Sequence, residues 1–337
     1  MNGYERIMAT LKGATPDRLA FMPITMMLAA DTIGVPYGQY VTDYRVLARG
    51  QIAVAEKFEI DHVSVISDPA REAADLGAAV HFPEDGPPAI DEENALLADK
   101  SRLDQLPMLE PMKPGSRCFD RVNGVKALVE AVKKVKLVEG WVEGPCAEGS
   151  DLRGINHLMT DFFDDPDFVH ALFAYNVENA LRFAEEQLKA GADIIGVGDA
   201  AASLVGPALY EEFVLPHEKT LVDGIHALGG MVRLHICGNT SRSLREIGTL
   251  GCDFVDLDSL VNMARAREEM GPHQVLAGNI DPVKTLRNGT PETVYAAVAE
   301  CHRQAGERFI VGAGCEVPRD TPEGNILEML RYAKERI

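Results

Sequence analysis

Short apolar runs of strand length recur along the chain, and longer segments with helical periodicity separate them. Each run is rich in valine, isoleucine, leucine or phenylalanine, a composition typical of strands. The eight predicted strands cover residues 20–25, 62–66, 136–142, 193–197, 231–235, 253–257, 274–278 and 307–311. The chain therefore repeats a strand followed by a helix.

Apolar residues spaced three and four apart predict the helices between these strands. The predicted helices cover residues 43–59, 121–134, 161–189, 207–228, 242–249, 262–270, 291–305 and 322–336, with the third broken near Pro166. Eight alternating units predict an α/β fold of the (β/α)8 TIM-barrel type, with an N-terminal helical extension, in one domain over residues 1–337. The competing architecture is an open doubly wound sheet, but no G-x-G-x-x-G motif follows the first strand to support it.

The segment 71–114 fits this repeat poorly. It contains Pro83, Pro87 and Pro88 within a polar stretch, and prolines at this density interrupt both helices and strands. We expect an insertion of loops with a short hairpin beside the barrel.

Composition and charge exclude several classes of function. The chain has 337 residues, with 33 basic and 52 acidic side chains, for a net charge of −19. Nucleic-acid binding is not expected, because phosphate recognition depends on clustered lysine and arginine. The apolar stretch at residues 21–30 is half the length of a membrane span of roughly 20 residues, and the N-terminus does not resemble a signal peptide. Six cysteines are too few for a disulfide scaffold, so we expect a cytoplasmic protein with free thiols.

Reactive side chains follow several predicted strands, at the end of a barrel where active sites lie. His235 and Cys237 are two residues apart, so in extended backbone their side chains leave on the same face. Cys315 follows the last strand and reaches them only if two loops converge over the barrel mouth. One imidazole and two thiolates form a soft ligand set that suits zinc, with a fourth position left open. The alternative is a buried histidine and two cysteines that fill the core.

Four motifs resemble the uroporphyrinogen decarboxylase superfamily. They are RLHICGN at 233–239, GCDFVDLD at 251–258, LAGNIDP at 276–282 and GAGCEVPRDTPEGNILEML at 312–330. The resemblance extends over nearly the whole chain and implies two possible branches. One branch contains decarboxylases that use no cofactor, and the other contains zinc enzymes that transfer methyl groups to or from corrinoids.

Two departures favour the methyltransferase branch. Decarboxylases carry an early R-Q-A-G-R-Y segment whose arginines bind substrate carboxylates, whereas this chain has no lysine or arginine between Arg18 and Arg45. Cys315 also stands where the zinc branch keeps its second thiolate. The resemblance thus implies that His235, Cys237 and Cys315 bind Zn²⁺.

The implied activity is methyl transfer between methylcobalamin on a corrinoid partner protein and a small thiol, folate or methyl ether. Decarboxylation of uroporphyrinogen is the main alternative, and a barrel that only docks a corrinoid protein is another. Glu143, Asp199 and Asp256 are the candidate catalytic carboxylates, as a fourth ligand, a proton acceptor or a partner of His235. Each carboxylate could instead cap a helix or neutralise a loop.

Overall fold

Eight parallel strands form the centre of the computed structural model, which describes residues 1–336. The strands of the chain are β1 (Ala20–Phe21), β2 (His62–Ser64), β3 (Val80–His81), β4 (Ala89–Ile90), β5 (Leu137–Glu143), β6 (Ile194–Gly198), β7 (Met231–Ile236), β8 (Phe254–Leu257), β9 (Val275–Ile280) and β10 (Phe309–Ala313). The order around the sheet is β1-β10-β9-β8-β7-β6-β5-β2. This arrangement confirms the predicted (β/α)8 TIM barrel, because every predicted strand overlaps an observed one.

Helices pack around the barrel strands. They are α1 (Gly3–Leu11), α2 (Met27–Thr32), α3 (Tyr37–Thr42), α4 (Tyr44–Lys57), α5 (Arg71–Leu76), α6 (Arg117–Val132), α7 (Pro145–Arg153), α8 (Ile155–Asp164), α9 (Pro166–Lys189), α10 (Pro207–Leu209), α11 (Leu215–Ala227), α12 (Leu244–Gly248), α13 (Met263–Met270), α14 (Pro291–Ala305) and α15 (Glu323–Glu335). The predicted break near Pro166 is confirmed, since Asp165 ends α8 and caps α9 by accepting a hydrogen bond from the Phe168 amide. None of the described helices combines the length and the apolar character that a membrane crossing requires.

A buried aspartate closes the barrel between β1 and β2, which are not paired in the sheet. The Asp61 amide donates to the Phe21 carbonyl at 3.0 Å, and the Asp61 carboxylate accepts from the Phe21 amide at 2.8 Å. Arg6 and Arg18 each donate to the same carboxylate, at 2.6 and 3.0 Å. The carboxylate is therefore paired with opposite charge, as a buried ion must be.

The first strand ends earlier than the predicted range of 20–25. The Met22 amide still donates to the Val311 carbonyl at 2.9 Å, but Pro23 has no N–H group with which to continue the ladder. The chain beyond it forms α2 and α3, two short helices that the apolar periodicity does not predict.

The segment 71–114 contains the predicted hairpin, in which β3 and β4 pair antiparallel with Val80 opposite Ile90. The expectation of loops is wrong for residues 71–76, however, because they form α5 and pack against α6 and α7. Arg71 and Glu72 on this helix are buried next to the end of β5. The inserted region therefore begins after α5.

Candidate metal centre

The fold brings His235, Cys237 and Cys315 together at the carboxyl end of the barrel strands. Their ligand atoms all lie within 4.8 Å of one another, and no other group of three or more potential metal ligands is this close within residues 1–336. His235 Nε2 is 2.9 Å from Cys237 Sγ, which in turn is 3.5 Å from Cys315 Sγ. The two loops therefore converge as the metal hypothesis requires.

A sharp turn after β7 presents Cys237 to the centre of the barrel. Gly238 has a φ of 98°, in the left-handed region that glycine adopts without steric cost. Its amide donates to the Asp258 carboxylate at 2.9 Å, so the loop after β8 holds the turn in place.

Close contact between two loops brings Cys315 to the same point. The Gly314 amide donates to the Ile280 carbonyl at 2.8 Å. A Cβ atom on Gly314 would lie only 2.4 Å from the Ser259 amide nitrogen. Because a larger residue would push the loops apart, Gly314 permits Cys315 to approach Cys237.

A buried series of alternating charges stands behind His235. The Asp256 carboxylate is 3.3 Å from His235 Nδ1 and also pairs with Arg233. On its other side, Arg233 donates to Glu139 at 3.1 Å. Burial opposes the protonation of His235, but Asp256 outweighs it and raises the His235 pKa to about 10. Burial raises the pKa of Asp256, but the positive charges of Arg233 and His235 outweigh this effect and hold the pKa down to about 2.

The two thiols differ in proton affinity. A hydrogen bond from Cys237, together with nearby His235, lowers the pKa of Cys315 to about 4. Hydrogen bonding to Cys315 and burial raise the pKa of Cys237.

Both cysteines are free thiols, since their sulfurs lie far beyond the bond length of about 2.05 Å in a disulfide. One imidazole and two sulfurs at these separations fit the donor set of a zinc site that keeps one position open.

A cavity of about 190 Å³ opens onto His235, Cys237 and Cys315. Its apolar wall consists of Ile24, Met26, Ile66 and Trp141. Gly196 and Gly198 on the neighbouring strand β6 make room for the indole ring of Trp141. A Cβ atom would lie 2.1 Å from a ring atom at position 196 and 3.0 Å from one at position 198.

Three carboxylates also line the cavity, whereas no lysine or arginine is among its described lining residues. Asp68 accepts two hydrogen bonds of 2.7 Å from Arg117. Glu316 accepts a hydrogen bond from the Met27 amide at 2.7 Å, at the start of α2. The third carboxylate is Glu143, at the end of β5.

Glu143 belongs to a buried cluster in which carboxylates outnumber cations. It accepts a hydrogen bond of 2.7 Å from Arg71, which also lies 3.5 Å from Glu72. Glu148 and Asp151 on α7 add two further carboxylates, and both oxygens of Glu148 lack a hydrogen-bond partner among the described residues. Burial raises the pKa of Glu143 and Glu148, and it raises that of Asp151 to about 8.

Asp199 is not brought to the metal-ligand group. Its carboxylate accepts hydrogen bonds from the amides of Cys146 at 3.4 Å and Ala147 at 2.6 Å, at the N-terminus of α7. Burial and the nearby Glu218 carboxylate raise the Asp199 pKa. Of the three candidate carboxylates, Asp256 therefore contacts His235, Glu143 lines the cavity and Asp199 caps a helix.

Several residues of the site do not follow from the sequence patterns. Arg71 and Glu72 lie in the segment assigned to the insertion, and Arg233 and Trp141 lie inside predicted strands. The signal that could have found Arg233 is its position two residues before His235, where an alternating strand directs both side chains into the barrel. Glu316 follows Cys315 directly, and a carboxylate after a strand does not by itself indicate a side chain that faces the cavity.

A family model described as uroporphyrinogen decarboxylase (URO-D) matches residues 2–336. The chain belongs to the URO-D family. The motif resemblance is thereby confirmed across almost its full length.

Curated relatives of this URO-D family chain are named for two different activities. Methylcobamide:CoM methyltransferase MtbA of Methanosarcina mazei is 32% identical over 215 residues, which cover 63% of this chain and 62% of MtbA. A uroporphyrinogen decarboxylase of a Synechococcus species is 27% identical over 351 residues, which cover 98% of this chain and 94% of that enzyme. The match to MtbA thus spans less than two thirds of either protein.

Solved structures of two further proteins share the fold. A methyltransferase from Methanosarcina mazei has a TM-score of 0.85 with 20% identity over 99% of both chains. A B12-independent methionine synthase from a Shewanella species has a TM-score of 0.58 with 13% identity, over 94% of this chain and 96% of that one. At these identities the two structures show that the URO-D family protein shares their fold.

Proposed function

We propose that the protein is a zinc-dependent methyltransferase. It moves a methyl group between a corrinoid on a partner protein and a small thiol, folate or methyl ether in the cytoplasm. The observation that carries this proposal is the convergence of His235, Cys237 and Cys315 within 4.8 Å beside an open cavity. The similarity to MtbA, which is named as a methylcobamide methyltransferase, supports the corrinoid partner.

The three ligands would hold Zn²⁺ through one nitrogen and two sulfurs. A bound zinc ion would supply Lewis acidity, which lowers the pKa of a substrate thiol so that a nucleophile exists at neutral pH. The chain itself supplies orientation, because Asp256 faces His235 Nδ1 and leaves Nε2 directed at Cys237. Histidine ligands are commonly fixed by a carboxylate in this way.

The cavity has an apolar wall and places a carboxyl group beside the space that a substrate would occupy. Ile24, Ile66 and Trp141 form one apolar cluster with Met26 packed against it. Glu143 lines the same space, and its raised pKa suits a group that holds or accepts a proton there. We therefore assign proton transfer to Glu143 and orientation of a ligand to Asp256.

Uroporphyrinogen decarboxylation is the second candidate, because the decarboxylase from Synechococcus matches the chain almost end to end. The composition of the cavity argues against it. A porphyrinogen with eight carboxylates requires basic side chains, and the lining residues include none apart from His235. Arg71 and Arg117 are near, but carboxylates of the protein already pair with both.

The test combines metal analysis with two single-turnover assays. Purified protein is expected to contain one zinc ion per chain and to transfer the methyl group of methylcobalamin to a thiol. Cys237→Ser and Cys315→Ser should each lose zinc and reduce methyl transfer by at least about 100-fold, because each removes a thiolate ligand.

Cys301→Ser is the matched control. Cys301 lies in α14, away from the candidate ligands, and donates a hydrogen bond of 3.4 Å to Asn279 that a hydroxyl group can replace. This variant should keep both zinc and activity. Methyl transfer by a metal-free preparation would contradict the proposal, and release of CO₂ from uroporphyrinogen would establish the alternative.

A further inference from the structure

A second cleft opens beside the metal centre, at the same end of the barrel. The loops after β6 and β7 and the first turn of α13 form its walls, and its volume is about 440 Å³. We call it the arginine cleft, because Arg242 and Arg265 line it together with Thr240, Ser241 and Ser243. No carboxylate is among its described lining residues, although the chain has a net charge of −19.

The two arginines of the cleft have no carboxylate partner among the described residues, unlike the arginines next to them. Arg245 pairs with Glu269 at 3.1 Å, and Arg267 donates to four backbone carbonyls. Arg242 and Arg265 are exposed and come from different elements, so the fold brings their side chains to one cleft. Their charge is therefore available to an anionic ligand.

Three hydroxyl groups add uncharged donors. The side chains of Thr240, Ser241 and Ser243 form no hydrogen bond with the part of the chain that the structure describes, although Thr240 and Ser243 are only 7% and 8% exposed. The backbone around them is held in place, since the Ser241 amide donates to the Asn239 side chain at 3.1 Å and the Ser243 amide to the Thr240 carbonyl at 2.9 Å. A hydroxyl group rotates to suit its acceptor, so these side chains can donate to the oxygens of an anion.

Carboxylates near the cleft are engaged by other groups. Asp258 accepts hydrogen bonds from the amides of Gly238 and Leu260, at 2.9 and 2.8 Å. Glu218 is buried and accepts a hydrogen bond from the hydroxyl group of Tyr210, which itself lines the cleft. Because neither carboxylate lines the cleft, the two arginines set its charge.

A single turn separates the arginine cleft from the metal centre. Cys237 lines the cavity of the metal centre, and Asn239 lines the arginine cleft. Between them, a Cβ atom on Gly238 would lie 2.6 Å from Ser203 Oγ, so the loop after β6 lies directly against the turn after β7. The two sites are therefore neighbours, but they share no lining residue.

Part of the arginine cleft is apolar. Ala202, Leu204 and Pro207 contribute to its lining, and the Leu204 side chain is 66% exposed. A leucine in this position offers a surface to the carbon skeleton of a ligand. The volume of about 440 Å³ also falls within the range of roughly 300–1,000 Å³ that is usual for small-molecule sites. The cleft thus suits an anion that carries an organic part.

From this combination we infer that the arginine cleft binds a phosphate ester, whose phosphate group contacts Arg242 and Arg265 and accepts hydrogen bonds from the three hydroxyl groups. Guanidinium groups match the geometry of phosphate oxygens. The phosphate of an ester offers three acceptor oxygens, which is enough to serve both arginines and the hydroxyl groups together. This inference goes beyond the proposed function, because it concerns a separate cleft and requires neither zinc nor a corrinoid.

The experiment compares three probes by titration calorimetry on the zinc-loaded full chain in a buffer without phosphate. Glucose 6-phosphate is an ester, glucose is its uncharged counterpart, and inorganic phosphate is the ion without an organic part. Glucose 6-phosphate should bind at least about tenfold more tightly than glucose, and inorganic phosphate should bind with intermediate affinity. Equal affinity for glucose 6-phosphate and glucose would overturn the inference. Inorganic phosphate that binds as tightly as the ester would overturn the assignment of an ester.

Arginine variants locate the binding in the cleft. Arg242→Met and Arg265→Met should each weaken the binding of glucose 6-phosphate by at least about tenfold, and both should fold because the two side chains are exposed. Arg245→Met is the matched control, since Arg245 lies on α12 outside the lining and should not affect binding. An ester bound at the metal centre would keep its affinity in all three variants, and this outcome would contradict the inference.

Discussion

The two sides of the cavity handle buried charge in different ways. On the β7 side, charges of opposite sign alternate from Glu139 through Arg233 and Asp256 to His235. On the α5 side, Glu72, Glu143 and Glu148 are buried around a single cation, Arg71, and the partly exposed Asp151 adds a fourth carboxylate. The first side is balanced, and the second has more negative than positive charge.

The difference has a physical consequence for each side. A balanced series of ion pairs fixes the positions of its members, since moving any one of them leaves a buried partner without compensation. Carboxylates without enough cations reduce their charge by binding protons, which is why burial raises the pKa values of Glu143, Glu148 and Asp151. The β7 side therefore suits the holding of a metal ligand, and the α5 side suits the uptake of protons or of a cation.

Removal of Arg233 tests the β7 side and should cause the largest loss of stability among these predictions. Arg233→Met leaves the buried Glu139 without its guanidinium partner and leaves Asp256 paired with His235 alone, and the uncompensated charge should lower the free energy of unfolding by about 3–5 kcal/mol. Urea-induced unfolding of the zinc-loaded protein measures the change.

Arg245→Met provides the control for that experiment. Arg245 forms an exposed ion pair of 3.1 Å with Glu269, so its loss should change stability by less than about 1 kcal/mol. If Arg233→Met were no more destabilising than this control, the alternating charges would not hold the β7 side together.

The α5 side should appear in the pH dependence of stability. The folded-state pKa of Asp151 is raised to about 8, above an unfolded value of about 3.9. Between these values the folded chain binds more protons than the unfolded chain, so the free energy of unfolding falls as the pH rises from about 4 to about 8. Asp151→Asn should reduce this slope by up to about 1.4 kcal/mol per pH unit.

Chemical denaturation at several pH values provides the measurement, and Asp104→Asn serves as the control because Asp104 is exposed. The control should reproduce the slope of the unchanged protein. If Asp151→Asn had the same pH slope as the unchanged protein, the negative charge of the cluster would already be balanced. The two sides of the cavity would then not differ in charge balance.

The balanced side was much easier to predict from the sequence than the other. His235, Cys237 and Asp256 lie on or directly after strands whose alternation sets the direction of each side chain, and Cys315 follows the last strand. In a barrel, these positions fall at one end by topology alone. The spacing of the residues, together with the motif resemblance, was therefore enough to nominate the ligands.

The crowded side depends on packing that no local pattern encodes. Arg71 and Glu72 lie on a single short helix within a proline-rich region, where periodicity is too brief to distinguish a helix from a loop. Glu148 and Asp151 resemble surface residues of a helix until α7 is placed against α5. Similarly, the short length of β1 follows from Pro23, but the helices after it depend on tertiary contacts.

Asp199 should give the smallest loss of stability among these predictions. It lies next to both sides of the cavity, but its carboxylate contacts none of His235, Cys237 and Cys315. Its hydrogen bonds to the amides of Cys146 and Ala147 indicate a helix cap, so Asp199→Ala should lower the free energy of unfolding by roughly 0.5–2 kcal/mol. Ser116→Ala, which removes the cap of α6, should have an effect of similar size. Zinc content and the rate of methyl transfer per folded molecule should stay unchanged in Asp199→Ala. A loss of zinc or of methyl transfer in a stably folded variant would instead give Asp199 a role in the reaction.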